Sequence, residues 1–185
     1  PATELDTPVR LNCKEGTQEE LLAALALHQV DVVLADAPIG PNVSIKGYNH
    51  LLGQSGIDIV ASPGWVAQHG ANFPECLEGA PFLMPSDKTA LRRHLHQWFN
   101  LIEIAPNIVA EFDDSALMST FGVASKGAFP LPSIVSDEVT EQLGLIKLGA
   151  AEKVQQSFYA ITVERRIKHP AVQAICTAAR QQTFS

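Results

Sequence analysis

The sequence predicts an α/β protein built of two lobes. Short apolar segments rich in β-branched residues alternate along the chain with amphipathic segments, the order typical of strands and helices in α/β folds. A Ser62-Pro63-Gly64 break divides two similar series of this kind. We therefore expect parallel sheets covered by helices, with lobe I formed by residues 1–62 and 156–185 and lobe II by residues 63–155.

Lobe I is predicted to begin with a strand and a capped helix. Residues 9–13 alternate between apolar and polar side chains, which is typical of a strand with one buried face. Thr17 and Glu20 have the spacing of a capping box, which predicts a helix start. Residues 30–35 are almost continuously apolar, as in a strand buried on both faces, and Asp36 follows its end.

The segment before the break is predicted to be a loop followed by a strand. Residues 41–56 are rich in turn-forming types, and the run Gly53-Gln54-Ser55-Gly56 lacks the GxSxG spacing of a nucleophile elbow. We interpret that run as a turn. Residues 57–61 then predict a strand that ends at the break.

Lobe II is predicted to repeat strand–helix units. Residues 81–84 and 108–112 read as strands, and each is followed by a helix. Asp87 is the expected N-cap of the first helix, and Asp114 or Ser115 of the second. The apolar positions expected to face the core are Leu91, Leu95, Trp98, Phe99, Leu117, Met118 and Phe121.

The remaining chain predicts four more elements. Residues 127–131 form a short strand, residues 134–143 a helix that ends before Gly144, and residues 158–163 a longer strand. Residues 145–148 are expected to be extended. A last helix begins at Pro170, and the side chains expected on its inner face are Val172, Ile175, Cys176 and Ala179.

Composition excludes several classes of function. A formal net charge of -7 disfavours direct binding to nucleic acid, because a phosphate backbone would repel this chain. The sequence has no apolar run near the ~18 residues that span a bilayer, so we expect no membrane association. Its three cysteines lack CxxC spacing, so neither disulfides nor a zinc site is indicated, and a cytoplasmic location fits best.

The sequence also lacks the signatures of cofactor-dependent or hydrolytic enzymes. Neither GxGxxG nor GxxxxGK[ST] occurs, and we expect no cofactor. His94 and His96 are two apart on a predicted helix, so they do not share a face that could hold a metal. No acid, base and nucleophile fall together at the strand ends, and we expect that the protein is not an enzyme.

A ligand site is expected where the strands end. In parallel α/β sheets ligands bind beyond the carboxyl ends of the strands, beside helix starts. Two readings of the acidic residues there stay open: structural capping of helix N-termini, or a cation site made by Glu15, Glu19 and Asp36. The full set of candidate effector-binding residues is Glu15, Gly16, Thr17, Glu19, Asp36, Pro38, Ser62, Pro63, Ser86, Phe129 and Pro130.

Several segments resemble the effector-binding domains of LysR-type transcription regulators. Residues 10–40, RLNCKEGTQEELLAALALHQVDVVLADAPIG, are similar to the first lobe of those domains, with an E-G-T helix start and an acidic strand end before proline. WFN at 98–100 fits the same family. EFDDSALMSTFG at 111–122 and ERRIKHPAVQAIC at 164–176 resemble in particular its regulators of sodium/proton antiporter genes.

The resemblance implies a fold and a function. The fold is two Rossmann-like lobes of periplasmic-binding-protein type II, with a small effector, sodium or a small molecule, in the cleft between them. The family's domain begins with a further strand and helix before the segment that matches Val9, and we expect that this chain, which starts at Pro1, is part of a longer protein. That protein would bind promoter DNA through a helix-turn-helix domain upstream and would form a homodimer or tetramer.

The function implied is sensing of sodium by an activator of an antiporter gene. Sodium prefers several oxygen ligands, whereas the helix start at Thr17 offers amide donors that favour an anion. Two alternatives therefore stay open. One is a LysR-type regulator that senses a small organic anion, and the other is a solute-binding protein of similar two-lobe fold, which an export signal in the full gene would reveal.

Overall fold

The computed structural model describes residues 1–6, 8–40, 45–87 and 89–184. Helices and strands alternate through most of this part, as the sequence predicts. The helices are α1 (Gln18–Ala26), α2 (Pro63–His69), α3 (Ala90–Leu101), α4 (Ser115–Val123), α5 (Ser133–Leu143) and α6 (Pro170–Ala178). The strands are β1 (Val33–Ala35), β2 (Tyr48–Ala61), β3 (Pro81–Pro85), β4 (Asn107–Phe112), β5 (Phe129–Pro132) and β6 (Ile146–Thr162). Short 3-10 turns at Ala2–Glu4 and Glu75–Leu77 and a π-helical turn at Ala179–Thr183 complete the assignment.

The chain divides into two compact units. Unit 1 comprises Pro1–Gln54 and Ser157–Ser185, and unit 2 comprises Ser55–Gln156. Both passages of the chain from one unit to the other therefore occur inside long strands, β2 and β6.

The sheets are mixed, not purely parallel as the sequence predicts. One sheet has the order β1-β6-β2-β5, in which β1 pairs antiparallel with β6 and β2 antiparallel with β5. The other sheet pairs β3 with β4 in parallel, and a parallel bridge joins Phe82 to Ala128 just before β5. Neighbouring parallel strands need a crossover connection, which α3 provides between β3 and β4. The pairs β1–β6 and β2–β5 are not joined in that way, which explains the difference.

Each unit has its own apolar core. In unit 2, Trp65, Phe82 and Leu95 lie in one cluster, and Val60 and Phe129 lie in a second. In unit 1, the inner leucines of α1 pack on β1 and β6, and α6 packs on Ala160. All four predicted core positions of α3 are buried, whereas Leu117 and Phe121 of α4 are largely exposed and only Met118 of that stripe is buried. Within the described residues, no helix combines the length and apolar character needed to cross a bilayer.

The predicted strand at residues 9–13 is not formed. Its alternating pattern is present, but Leu11 is half-exposed and the segment has no strand partner. It lies across a groove of about 490 Å³ from the outer edge of β1, which ends its sheet. Because a strand needs a hydrogen-bonded neighbour, this segment stays extended without pairing. The groove lies where the resemblance implies a further strand.

The prediction of a loop over residues 41–56 is wrong for its second half. Residues 41–44 lie outside the described part, but β2 begins at Tyr48 and runs without interruption to Ala61. Gly53 does not form a turn. A side chain there would collide with the Phe184 ring, since a Cβ would stand 2.2 Å from its Cγ atom. The glycine allows close packing inside a strand.

Two smaller predictions also need correction. The N-cap of α3 is Thr89 and not Asp87, because the Thr89 hydroxyl accepts the Arg92 amide at 3.2 Å. The extended segments predicted at residues 145–148 and 158–163 are parts of one strand, β6, which runs from Ile146 to Thr162 and so leaves out residues 145 and 163. A strand of this length bridges both units, which a pattern search for separate short elements does not detect.

A close approach of Phe129 to α4 provides a test of packing in unit 2. A Cβ at Gly122 would lie 2.0 Å from Cε1 of the buried Phe129 ring. We expect Gly122→Ala to lower the free energy of unfolding by roughly 1–3 kcal/mol, because overpacking outweighs the gain in helix propensity. Urea unfolding monitored by circular dichroism measures this. Gly40→Ala is the matched control, since its Cβ would meet no atom within 4 Å, and an equal effect of both substitutions would contradict the packing argument.

Candidate functional site

The start of α1 lies against the end of β1 in unit 1, as expected. Thr17 and Glu20 form a capping box: the Thr17 hydroxyl accepts the Glu20 amide at 3.3 Å, and the Glu20 carboxylate accepts the Thr17 amide at 2.9 Å. The Gln18 side-chain amide donates to the Ala37 carbonyl at 2.9 Å. This contact brings the first turn of α1 beside the loop that carries Asp36 and Pro38.

The capping box changes the electrostatics of this helix start. The Glu20 carboxylate also accepts the Thr17 hydroxyl at 2.9 Å, so a negative charge of the chain itself already lies at the positive end of the helix dipole. An external anion therefore gains less here than an uncapped helix would offer. Gly16, the residue before Thr17, leaves room for this carboxylate, because a Cβ at Gly16 would approach Oε2 of Glu20 to 3.2 Å.

The three acidic candidates for a cation site are not brought together as ligands. Glu15 and Glu19 are exposed, and Asp36 is half-buried. In the described part of the chain, no group of three or more histidine, cysteine, aspartate or glutamate side chains is placed to hold a metal ion. The loop near Asp36 could supply oxygen ligands to a cation only together with backbone carbonyls or water.

In unit 2, parallel strands place β3, β4 and β5 with their carboxyl ends at one edge. The Ser86 amide, just after β3, donates to the Phe112 carbonyl at the end of β4 at 2.8 Å. Arg92 ties the same two strand ends, donating to the Pro85 carbonyl at 3.0 Å and to Glu111 at 2.8 Å. The hydrogen bond from Arg92 lowers the pKa of Glu111. We call this edge the carboxyl edge of unit 2.

Ser86 is the one predicted unit 2 residue that lies at the carboxyl edge. Its side chain is 8% exposed, and its hydroxyl oxygen is buried without a hydrogen-bond partner among the described residues. An unpaired buried hydroxyl costs free energy, so its presence beside a predicted ligand site points to a missing partner. The starts of α3 and α4, capped by Thr89 and Asp114, follow the same strand ends.

The other four unit 2 and crossover predictions lie elsewhere. Since β2 runs antiparallel to β5, with Val60 opposite Phe129, Ser62 follows the strand beyond the amino end of β5. There Ser62 caps α2 and its hydroxyl lies 2.7 Å from the Ser125 hydroxyl. Pro63 begins α2 and lies with it. Phe129 and Pro130 are buried in the first half of β5, so neither reaches the carboxyl edge.

The start of α5 also lies at the carboxyl edge; the helix was predicted from the sequence, but its start was not among the predicted site residues. This helix has no capping side chain of its own. Ser55 of β2 replaces one by accepting the Ile134 amide at 3.1 Å. No local pattern signals this contact, because the two residues are far apart in sequence and residues 53–56 resemble a turn.

A buried carboxylate fixes α5 to the same strand. Asp58 of β2 is 6% exposed, accepts a hydrogen bond from the Ser136 hydroxyl and pairs with Lys147 at 3.0 Å. Lys147 also pairs with Asp137 at 2.5 Å. Burial alone would raise the pKa of Asp58, but the hydrogen bonds from Ser136, Lys147 and Ser133 and the lysine charge together hold it below 3.8.

Comparison with known proteins decides the family. The LysR substrate binding domain model matches residues 4–183. This chain belongs to the LysR family. The transcriptional activator protein NhaR of Escherichia coli (strain K12) is 33% identical over 180 residues, which are 96% of this chain and 58% of NhaR. The chain therefore spans 58% of the length of this curated LysR relative.

Solved structures agree with the assignment at the level of the fold. The regulatory domain of HypT from Salmonella typhimurium has a TM-score of 0.71 at 16% identity, covering 97% of this chain and 86% of that domain. The effector binding domain of QuiR in complex with shikimate has a TM-score of 0.63 at 17% identity, covering 92% and 81%. The α/β fold with mixed sheets is thus that of LysR regulatory domains, of periplasmic-binding-protein type II. LysR-type regulators bind small effectors and DNA.

The Asp58 contact should make stability in the LysR domain depend on acid. Because its folded pKa lies below the ordinary 3.8, Asp58 stabilises the fold fully above that value, and its contribution is lost as the pH falls through the folded pKa. At neutral pH we expect Asp58→Asn to lower the free energy of unfolding by about 1.5–3 kcal/mol, the range for hydrogen bonds to a charged group. Urea unfolding from pH 7 to pH 2 measures both effects.

The difference in free energy of unfolding between the unsubstituted protein and Asp58→Asn should become smaller in acid. An exposed carboxylate outside this contact, Asp87, gives the control Asp87→Asn, which should follow the unsubstituted protein at every pH. A constant difference between Asp58→Asn and the unsubstituted protein down to the lowest pH would show that the carboxylate charge is irrelevant.

Proposed function

We propose that this chain is the effector-sensing domain of a LysR-type activator of a sodium/proton antiporter gene, and that sodium is its signal. The observation that carries the proposal is the 33% identity to the activator NhaR across 96% of the chain. The segments at residues 111–122 and 164–176, which resemble antiporter-gene regulators, support the same assignment. NhaR is a transcriptional activator, and this supports the expectation that the domain is a sensor and not an enzyme.

The activity proposed for the whole protein depends on parts beyond these residues. We propose that a helix-turn-helix domain upstream binds the promoter, that the protein forms a homodimer or tetramer, and that it acts in the cytoplasm. Effector binding then changes the activation of transcription by the DNA-bound protein. The coupling free energy is about 1–3 kcal/mol, the usual range for two coupled sites. A solute-binding protein of similar fold is the competing class, and a secretion signal in the gene would identify it.

The sodium signal is tested at the start of α1. Glu19 is exposed in the first turn of α1, the turn that Gln18 joins to the loop of Asp36. If sodium is sensed there, Glu19→Ala in the full-length regulator should abolish sodium-dependent activation of a promoter fusion and leave affinity for DNA unchanged. Glu141→Ala, another exposed helical carboxylate, should retain the response. A full sodium response in the Glu19 variant would remove this residue from the sensor.

A second candidate effector, a small organic anion, is favoured by a different observation. Among the described residues, the buried Ser86 hydroxyl has no hydrogen-bond partner at the carboxyl edge, where it adjoins the start of α3. A hydroxyl donor beside a helix N-terminus suits a carboxylate oxygen. QuiR, of similar fold, binds shikimate, which is a carboxylate, and this supports the inclusion of such anions in a screen.

Ser86→Ala separates the two effectors. The substitution removes an unpaired hydroxyl, so we expect the free energy of unfolding to stay equal or to rise by about 1 kcal/mol. Thermal shift is then measured with sodium, lithium and potassium chloride and with the potassium salts of acetate, malate and shikimate. If an anion binds at Ser86, its shift should fall in Ser86→Ala and persist in Ser119→Ala, a control on the outer part of α4. Shifts that follow the sodium salt alone would reject the anion.

A further inference from the structure

A cavity in unit 2 lies at the end of α3 away from the carboxyl edge. It has a volume of about 370 Å³, within the range of roughly 300–1,000 Å³ for small-molecule sites. α3 starts at the carboxyl edge and its last turn, with Leu101, lines the cavity. At 1.5 Å per residue the two ends of this 12-residue helix are ~18 Å apart. The cavity is therefore distinct from the proposed effector site.

The floor of the cavity is aromatic. Phe73 and Trp98 stack with ring centroids 5.9 Å apart and planes inclined by 19°. Phe73 in turn lies on the backbone of β6, where a Cβ at Gly149 would come within 2.3 Å of the ring. The walls add Leu101 and Ile102 of the α3 terminus, so the floor and walls accept an apolar group.

Two charged residues, adjacent in sequence, line the same cavity. Side chains at successive positions of a regular strand point to opposite faces. Glu152 and Lys153 of β6 break this rule, since both are exposed and line the cavity while Ala151 and Val154 on either side are buried. The cause is the left-handed backbone of Lys153, with φ 66°, a conformation that residues other than glycine rarely adopt.

The charges are available to a ligand. Among the described residues, neither Glu152 nor Lys153 makes a hydrogen bond or an ion pair by its side chain. The carboxyl end of α3 adds partial negative charge on the side of Leu101 and Ile102. The cavity thus offers an apolar floor, one cationic group, and an anionic group supported by a helix end.

We propose that this cavity binds a zwitterionic amino acid with an apolar side chain. The side chain lies on Phe73 and Trp98, the carboxylate meets the Lys153 ammonium, and the ligand ammonium meets Glu152 and the last carbonyls of α3. The site provides the regulator with a second input that does not depend on the proposed effector.

Binding is tested with L-leucine as the probe. Calorimetry on the 185-residue chain measures Kd, and indole fluorescence reports contact with Trp98. Trp65, the other tryptophan, is buried and donates its indole N–H to Pro81. We expect saturable binding with a change in fluorescence. Isocaproate lacks the ammonium and isoamylamine lacks the carboxylate, so each should bind at least about tenfold more weakly.

The left-handed position provides a variant that keeps the fold. Lys153→Gly removes the ammonium at a residue whose backbone suits glycine, so it should fold normally and bind L-leucine at least about tenfold more weakly. Glu103→Gly is the matched control, because Glu103 is also charged, exposed and left-handed, with φ 56°, but does not line the cavity. The proposal is wrong if L-leucine gives no saturable signal, or if Lys153→Gly binds it as tightly as the Glu103 control does. Sodium-dependent activation is independent of either result.

Discussion

The parallel pairing of β3 with β4 is the constraint on which the chemistry of unit 2 depends. Two strands that run in the same direction end at the same edge, and the bond from the Ser86 amide to the Phe112 carbonyl fixes those ends together. Each strand is followed by a helix, so the helix starts meet at that edge as well. Strand β2 runs in the opposite direction to β5, so the amino end of its unit 2 segment lies at this edge. The carboxyl end of β2, followed by Ser62, lies at the opposite edge.

Strand β2 nevertheless serves the carboxyl edge through its side chains. Ser55 supplies the cap that α5 lacks, and Asp58 holds the first turns of the same helix through Ser136. A buried carboxylate is costly unless it is paired, and Lys147 provides the pairing. The position of the α5 start therefore depends on two polar residues at the point where the chain enters unit 2, and not on the sequence of the helix itself.

Local sequence patterns were sufficient to predict those features whose determining residues lie close together in the sequence. The capping box at Thr17, the inner face of α3 and the cap at Asp114 were all predicted from residues close in sequence, and the structure confirms them. The full length of β2 was not predicted, because a glycine such as Gly53 can indicate either a turn or a close contact inside a strand. Here it allows the Phe184 ring to pack on the strand. The segment at residues 9–13 failed for the opposite reason: its pattern was correct for a strand, but pairing is a property of two segments.

The candidate site was also predicted only in part, because some of its features depend on contacts between distant segments. The general rule that ligands lie at strand ends predicted Ser86 and the start of α1, but the rule requires strand direction, which the sequence could not supply for β2 and β5. The sign of the effector charge is also set by contacts and not by residue types. Acidic residues near Thr17 suggested a cation and the helix dipole an anion, yet Glu20 already neutralises that dipole by accepting the Thr17 amide. At Ser86 no such internal partner exists among the described residues. At the carboxyl edge an anion therefore meets an unused hydroxyl donor among the described residues, whereas at the start of α1 the Thr17 amide already donates to Glu20.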